Sequence, residues 1–336
     1  MDREAARTVE RVAHGSSDDP SLLDFSANAN PSIPDGVTEV YEAALERSRS
    51  YSPEPPTDFR ESAAEYVQCP PDRVIPTPGG MAALRLAIQL VVDPGDSVLV
   101  PAPSFGEYAR EVRLQGGTPT FVDSHEILEA DTADHCMAIV CNPNNPTGET
   151  YEEDTISTFV DHCRHQDTVV LLDEAFLDFT DQPSLAGVNG VIVARSLTKM
   201  FGLPGIRMGF AVSSSELLES LAGARPPWNV GMPALEVGTY CMQQTDFVSE
   251  TKARVRSERK RLRAALNDRF EIYSSDSPFL LIDTGDRDVD ELLKSARQQG
   301  LFLRDARTFQ ELTSHVRIAI RLPSENDRLI EFFKHV

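Results

Sequence analysis

A chain of 336 residues with 40% hydrophobic content can build one large core and a smaller appended unit. Its formal net charge of −21 disfavours nucleic-acid binding, which needs basic surface. No apolar run approaches the roughly 18–20 residues that span a bilayer, and the polar start Met1–Arg7 lacks the apolar stretch of a signal peptide, so a cytoplasmic protein is expected.

Arginine supplies nearly all the positive charge, because only five lysines occur: Lys199, Lys252, Lys260, Lys294 and Lys334. Such an acidic, lysine-poor composition is similar to that of proteins from salt-loving organisms, where molar salt screens self-repulsion. Cys69, Cys136, Cys141, Cys163 and Cys241 are scattered and form no CxxC pair, which argues against a disulfide framework or zinc finger. His162-Cys163-Arg164-His165 reads as a polar helix face, and no metal is expected.

In chain order, residues 1–35 read as an arm: a short helix, a loop with His14-Gly15, then an extended, turn-forming stretch Leu23–Pro31 rich in Asn. Val37–Arg49 is an amphipathic helix that ends at the stiff loop Tyr51–Pro56, and Asp58–Val67 is a second helix. Val74–Leu84 reads as strand, glycine turn and helix; Gly79-Gly80 can present the amides of Met81 and Ala82 to an anion. Apolar strands Ser97–Val100, Thr118–Val122, Ala138–Cys141, Thr168–Asp173, Gly190–Ala194 and Met208–Val212 then alternate with helices Gly106–Gln115, Glu152–His165 and Ser215–Ala222. That alternation predicts an α/β fold with a mainly parallel sheet in a large domain, residues 36–232. Residues 233–336 read as a smaller α+β C-terminal domain. It comprises a long helical region, Ala234–Asp268, strands Glu271–Tyr273, Phe279–Asp283, Leu301–Arg304 and Val316–Arg321, and helices Val289–Gln299 and Glu325–Val336.

One stretch carries the chemistry. Lys199 follows the apolar run Val191–Ala194, which places an amine just past a strand end, where α/β proteins keep ligands. Ser196 and Thr198 flank it, and Arg207 follows beyond a Gly-Leu-Pro-Gly turn. An imine-forming amine, two hydroxyls and a fixed cation suit an aldehyde that bears a phosphate, and pyridoxal phosphate is such a cofactor. Ser196-x-x-Lys199 also matches the SxxK pair of serine acyl-enzymes, but the companion SDN-like and KTG-like motifs do not occur. A pure binding protein would not need lysine, aspartate and arginine together.

Read in order, Pro103-Ser104-Phe105, Asn142-Pro143-Asn144-Asn145-Pro146-Thr147-Gly148, Leu171-Leu172-Asp173-Glu174-Ala175-Phe176 and Ser196–Arg207 resemble the motifs of fold-type I pyridoxal-phosphate enzymes, the class I/II aminotransferase superfamily. The resemblance covers nearly the whole chain. It implies that Lys199 is the catalytic, cofactor-bearing lysine and that Asp173 faces the pyridine nitrogen. It implies that Asn145 donates to the phenolic oxygen and that Phe105 stacks on the ring. It further implies that Ser196, Thr198, Arg207 and the amides of Met81 and Ala82 hold the phosphate. Tyr51 resembles a tyrosine that reaches the neighbouring subunit's cofactor, which implies a homodimer with shared active sites.

Within the superfamily two subfamilies fit: histidinol-phosphate aminotransferases and L-threonine-O-3-phosphate decarboxylases of cobalamin synthesis. His14-Gly15, Asp24–Pro31, Phe176 where the superfamily often has tyrosine, Pro227–Val230, Phe302–Asp305 and Arg317–Asn326 look more like the decarboxylases. That resemblance implies a small phosphorylated amino acid as substrate, held by His14, Asn30, Arg304, Arg317 and Arg321, and (R)-1-amino-2-propanol O-2-phosphate as product.

Overall fold

The computed structural model describes residues 1–336, the side chains of Ser215 and Glu216 excepted. Its strands are β1 (Leu23–Asp24), β2 (Val74–Thr77), β3 (Ser97–Ala102), β4 (Thr118–Asp123), β5 (Met137–Cys141), β6 (Val169–Asp173), β7 (Val191–Ser196), β8 (Gly209–Val212), β9 (Glu271–Ile272), β10 (Phe279–Asp283), β11 (Leu301–Phe302), β12 (Arg304–Asp305) and β13 (His315–Ala319). A seven-stranded sheet has the order β2-β8-β7-β6-β5-β3-β4. All its pairings are parallel except those of β8, which runs antiparallel to β2 and β7. A four-stranded antiparallel sheet has the order β12-β13-β10-β9.

The central strands are continuous apolar runs because helices cover both faces of the large sheet. Alternate residues feed two clusters: Val140, Val170, Leu172 and Val193 on one face, Ile139, Leu171, Ile192 and Ala194 on the other. Helix Gly80–Val91 packs on the second face against β6, β7 and β8. Helix Glu153–His165 buries Ile156, Phe159, Val160 and Cys163 in the first cluster. Each fully buried aliphatic side chain contributes about 1.5–3 kcal/mol, so this sheet is the rigid frame of the molecule.

Two expected elements differ. The helical region expected over Ala234–Asp268 is two helices, Met232–Met242 and Thr245–Leu266, parted where Gln244 leaves helical geometry at φ −86°, ψ 64°. Neither glycine nor proline marks this break. The chain turns there because its packing partner changes, from helices Val37–Arg47 and Thr57–Val67 to the last helix, Pro323–Lys334. The strand expected over Leu301–Arg304 is also two pieces. β11 pairs in parallel with β1 of the arm, and β12 pairs with β13.

The parallel register brings strand ends together, with Cys141 opposite Asp173 and Asp173 opposite Ala194. The loops after β5, β6 and β7 therefore share one edge. The arm is fastened to this edge, since the Asn30 amide donates to the Lys199 carbonyl at 2.9 Å. Gly202 lies just beyond with φ +65°, and a Cβ there would collide with the Ser32 carbonyl and meet the Asn30 carbonyl oxygen at 2.6 Å. Gly202→Ala is expected to destabilise the fold by about 1–3 kcal/mol through backbone strain and this clash. A denaturant midpoint equal to that of the parent would contradict that account.

Candidate active site

A cleft of about 810 Å³ opens at the shared strand edge, with Lys199, Asp173, Asn145, Phe105, Arg304 and Arg317 in its wall. Lys199 sits on the one-turn helix Leu197–Met200 that directly continues β7. Its ammonium lies 6.0 Å from the centre of the Phe176 ring. Burial, then the nearby Arg317 and Arg207, pull its pKa down to about 8, against the opposing pull of Asp173. The amine is thus neutral and nucleophilic over a pH range in which an exposed lysine stays charged.

Asp173 ends β6 and is buried. One carboxylate oxygen accepts from the Tyr108 hydroxyl at 2.6 Å and the other from the Ala175 amide at 3.0 Å. Burial pushes its pKa up, while Tyr108, the Ala175 amide, Lys199 and Arg195 act in the opposite direction. Phe105 packs edge-to-face on Tyr108, with ring centres 5.5 Å apart and planes at 85°.

At the other end of Lys199's turn, Ser196 and Thr198 place their hydroxyls 2.9 Å apart. Arg207 donates to the Pro204 carbonyl at 3.2 Å and lies against Gly79, where a Cβ would come within 2.7 Å of its Nη2. Gly79 also takes φ +87°, so glycine is required there on two grounds. Among the described residues the amides of Gly80 and Met81 have no protein acceptor, whereas the Ala82 amide donates to the Gly79 carbonyl at 3.1 Å. A hydroxyl pair, a guanidinium and open amides at the start of helix Gly80–Val91 make an anion cradle.

Cations line the facing wall. Arg317 is buried, donates to Asn145 and, at 3.1 Å, to the Ser26 carbonyl, and leaves its Nε without a partner. Asn28 turns its amide oxygen to the same guanidinium, 3.2 Å from Nη1. Burial, and secondarily Arg304, pull the Arg317 pKa down to about 9. Arg304 donates to the Ala13 carbonyl at 2.6 Å and to Thr308 Oγ1 at 2.8 Å. His14 Nε2 lies 2.9 Å from Glu107 Oε1, which anchors the arm over the cleft. Among the described residues neither Arg304 nor Arg317 forms an ion pair with a carboxylate. The arrangement calls for an anion that the chain itself does not provide.

Three expected residues stand outside the cleft lining. The Asn30 side chain is engaged elsewhere. Its amide nitrogen donates to the Met200 carbonyl at 2.9 Å and to Thr251 at 3.0 Å, and its oxygen accepts from Arg254 at 2.8 Å. Its hydrogen-bonding capacity is spent on holding the lysine turn. Arg321 is likewise committed, to Glu325 at 3.0 Å and to the Asp24 carbonyl at 3.0 Å. Tyr51 is 81% exposed and stacks on Trp228 with ring centres 4.8 Å apart, so it does not reach its own chain's cleft. Conversely Ser26, Asn28, Glu107, Thr308 and Phe309 line the cleft without having been singled out as ligands. Their one available signal was sequence proximity to His14, Phe105 and Arg304.

Fold and site together define a lysine enzyme of pyridoxal-phosphate type. The chain belongs to the class I and II aminotransferase family, whose model matches residues 20–333. Histidinol-phosphate aminotransferase of Methanosarcina mazei is 27% identical over 344 residues, 98% of this chain and 92% of that protein. A Caldanaerobacter subterraneus protein provisionally named a threonine-phosphate decarboxylase is 30% identical over 297 residues, 81% of this chain and 79% of that protein. The structure of L-threonine-O-3-phosphate decarboxylase from Porphyromonas gingivalis matches with a TM-score of 0.84 at 24% identity, covering 94% of this chain and 99% of that one. That of histidinol-phosphate aminotransferase from Sinorhizobium meliloti, in complex with pyridoxal-5'-phosphate, matches with a TM-score of 0.84 at 19% identity, covering 99% and 93%. The fold is the fold-type I architecture, and the family's cofactor is pyridoxal phosphate.

The residues present fit that cofactor: a buried amine of lowered pKa, a strand-end carboxylate and a separate anion cradle. Cofactor uptake by the apoprotein should rise as pH climbs through about 8, because a base whose pKa is lowered is deprotonated earlier. Absorbance titration at several pH values checks this. A midpoint at the ordinary lysine value of about 10.4 would contradict it.

Proposed function

We propose that the enzyme decarboxylates L-threonine O-3-phosphate to (R)-1-amino-2-propanol O-2-phosphate, in the cytoplasm, as a step of cobalamin synthesis. The observation that carries this reading is the cation wall: Arg317 and Arg304 face the cleft free of carboxylate partners among the described residues, beside His14 from the arm. A substrate that bears both a carboxylate and a phosphate satisfies both guanidiniums at once.

When bound, pyridoxal phosphate supplies an electron sink for charge developing at the substrate's Cα. In this reading Ser196, Thr198, Arg207 and the open amides of Gly80 and Met81 would hold its phosphate, the Ala82 amide being engaged with the Gly79 carbonyl. Phe105 stacks on its ring, Asn145 donates to its phenolic oxygen, and Asp173 keeps its ring nitrogen protonated. Arg317 takes the substrate carboxylate, and Arg304 with His14 takes the substrate phosphate. Lys199 returns a proton to Cα as a general acid. The anion-binding groups Arg317, Arg304 and His14 would set the pose of the substrate and with it which Cα bond breaks. Phe176 contributes an apolar face where a tyrosine would add a donor.

A second reading, aminotransfer to or from histidinol phosphate, has the support of relatives that carry that name. Incubation with threonine phosphate alone should release CO₂ without any 2-oxo acid. Absence of CO₂, together with 2-oxoglutarate-dependent turnover of histidinol phosphate, would select the second reading.

The proposal extends to assembly and milieu. The arm 1–35, a large unit 36–232 and a small unit 233–336 form each subunit, and two subunits share sites through Tyr51, whose exposed ring supports a contact outside its own chain. The net charge of −21 supports adaptation to high salt. Sedimentation and thermal unfolding across a KCl series test both points. The expected result is a dimer whose unfolding midpoint rises toward molar salt. A monomer throughout would overturn the shared site, and a flat midpoint would overturn the salt adaptation.

A further inference from the structure

The segment Phe105–Tyr108 places two aromatic rings one helical turn apart, at the start of helix Glu107–Gln115. The Tyr108 amide closes this turn on the Phe105 carbonyl at 3.1 Å. The edge-to-face geometry sets the two ring planes nearly perpendicular, at 85°. Phe105 lines the cleft, while the Tyr108 ring is buried behind it at 1% exposure. From there the Tyr108 hydroxyl reaches Asp173, a residue of a different structural element 65 positions away, at 2.6 Å.

The direction of this bond is settled by the surroundings. Burial and the adjacent Asp173 push the Tyr108 pKa well up, so the phenol keeps its proton and donates. The groups facing Asp173 are Tyr108 from the helix start, Lys199 and Arg195 from β7 and its extension, Cys141 from β5, and the Ala175 amide. The Cys141 thiol donates to the Pro143 carbonyl at 3.3 Å and stays protonated through burial. Tyr108 and the Ala175 amide are thus the two groups hydrogen-bonded to this carboxylate, one on each oxygen. With both oxygens tethered, rotation of the carboxylate is blocked. A lone donor would leave it free to turn.

We propose that Tyr108 is a positioning residue that fixes the Asp173 carboxylate toward the ring nitrogen of the cofactor and locks it in register with the stacking face of Phe105. The proposal rests on the assignment of Asp173 and Phe105 to the cofactor ring made above. One short turn then sets both the face and the polar edge of the ring. The hydroxyl favours the ionised carboxylate, because a donated hydrogen bond stabilises the charged form against burial.

Tyr108→Phe removes one oxygen and keeps the ring packing, so the melting of the apoprotein is read first and should remain close to that of the parent. In the variant, cofactor retention measured by fluorescence should weaken about tenfold, the size expected for loss of a hydrogen bond to a charged group. The pH midpoint of the cofactor absorption band should shift, and kcat should fall with KM little changed. Asp173→Asn and the double variant complete a cycle. Action through Asp173 requires that Tyr108→Phe have no further effect on retention once Asp173 is Asn. Additive losses, or parental retention and band midpoint in Tyr108→Phe, would overturn the proposal. If Asp173→Asn itself leaves retention and the band unchanged, it is the underlying assignment of Asp173 that fails.

Discussion

Desolvation of positive charge is the constraint on which the site depends. Lys199, Arg304 and Arg317 converge on one cleft, and each has its pKa lowered chiefly by burial. Withdrawing an ion from water costs several kcal/mol unless an opposite charge replaces the lost solvation. Among the described residues no carboxylate pairs with either guanidinium, although ion pairs such as Arg195–Glu174 at 3.0 Å form readily elsewhere in the same chain. The large sheet carries Lys199 just past β7, and the antiparallel sheet carries Arg304 on β12 and Arg317 on β13, each backed by its own buried apolar side chains and independently of any ligand. A dianionic ligand would relieve the penalty, so binding energy and site stability are linked.

The same constraint explains the division of labour around Lys199. Its lowered pKa comes first from burial and then from the repulsion of Arg317 and Arg207. Asp173 opposes them, and burial raises its own pKa while hydrogen bonds from Tyr108 and the Ala175 amide act against that rise. The site is therefore an electrostatic balance in which no single group sets its own protonation state.

Much of this was readable in the sequence, for local reasons. Asp173 ends an apolar strand, and Lys199 and Asn145 come within four residues of one, so chain order alone places them at the sheet edge. Arg317 was readable through its motif, although its position lies within β13 rather than at a strand end. What escaped was set by distant partners. Asn30 has the right chemistry for a substrate ligand but spends it on Met200, Thr251 and Arg254. Arg321 meets Glu325 one helical turn on, a pairing that competes with any anion. The break at Gln244 leaves no glycine or proline signal, because it arises from a change of packing surface. The split between β11 and β12 is likewise a change of pairing partner within one apolar run.

The pairing of β1 with β11 has a consequence in time. Leu23 aligns with Leu301, and the Arg304–Ala13 and Arg317–Ser26 hydrogen bonds each close a loop of 291 residues. Contacts of such sequence separation form late, since their closure entropy is met only after local structure exists. During synthesis the large sheet can assemble while the arm waits for a strand not yet made. The cation wall is thus among the last parts of the molecule to form. Until the final residues emerge, the nascent chain has Lys199 but neither Arg304 nor Arg317 beside it.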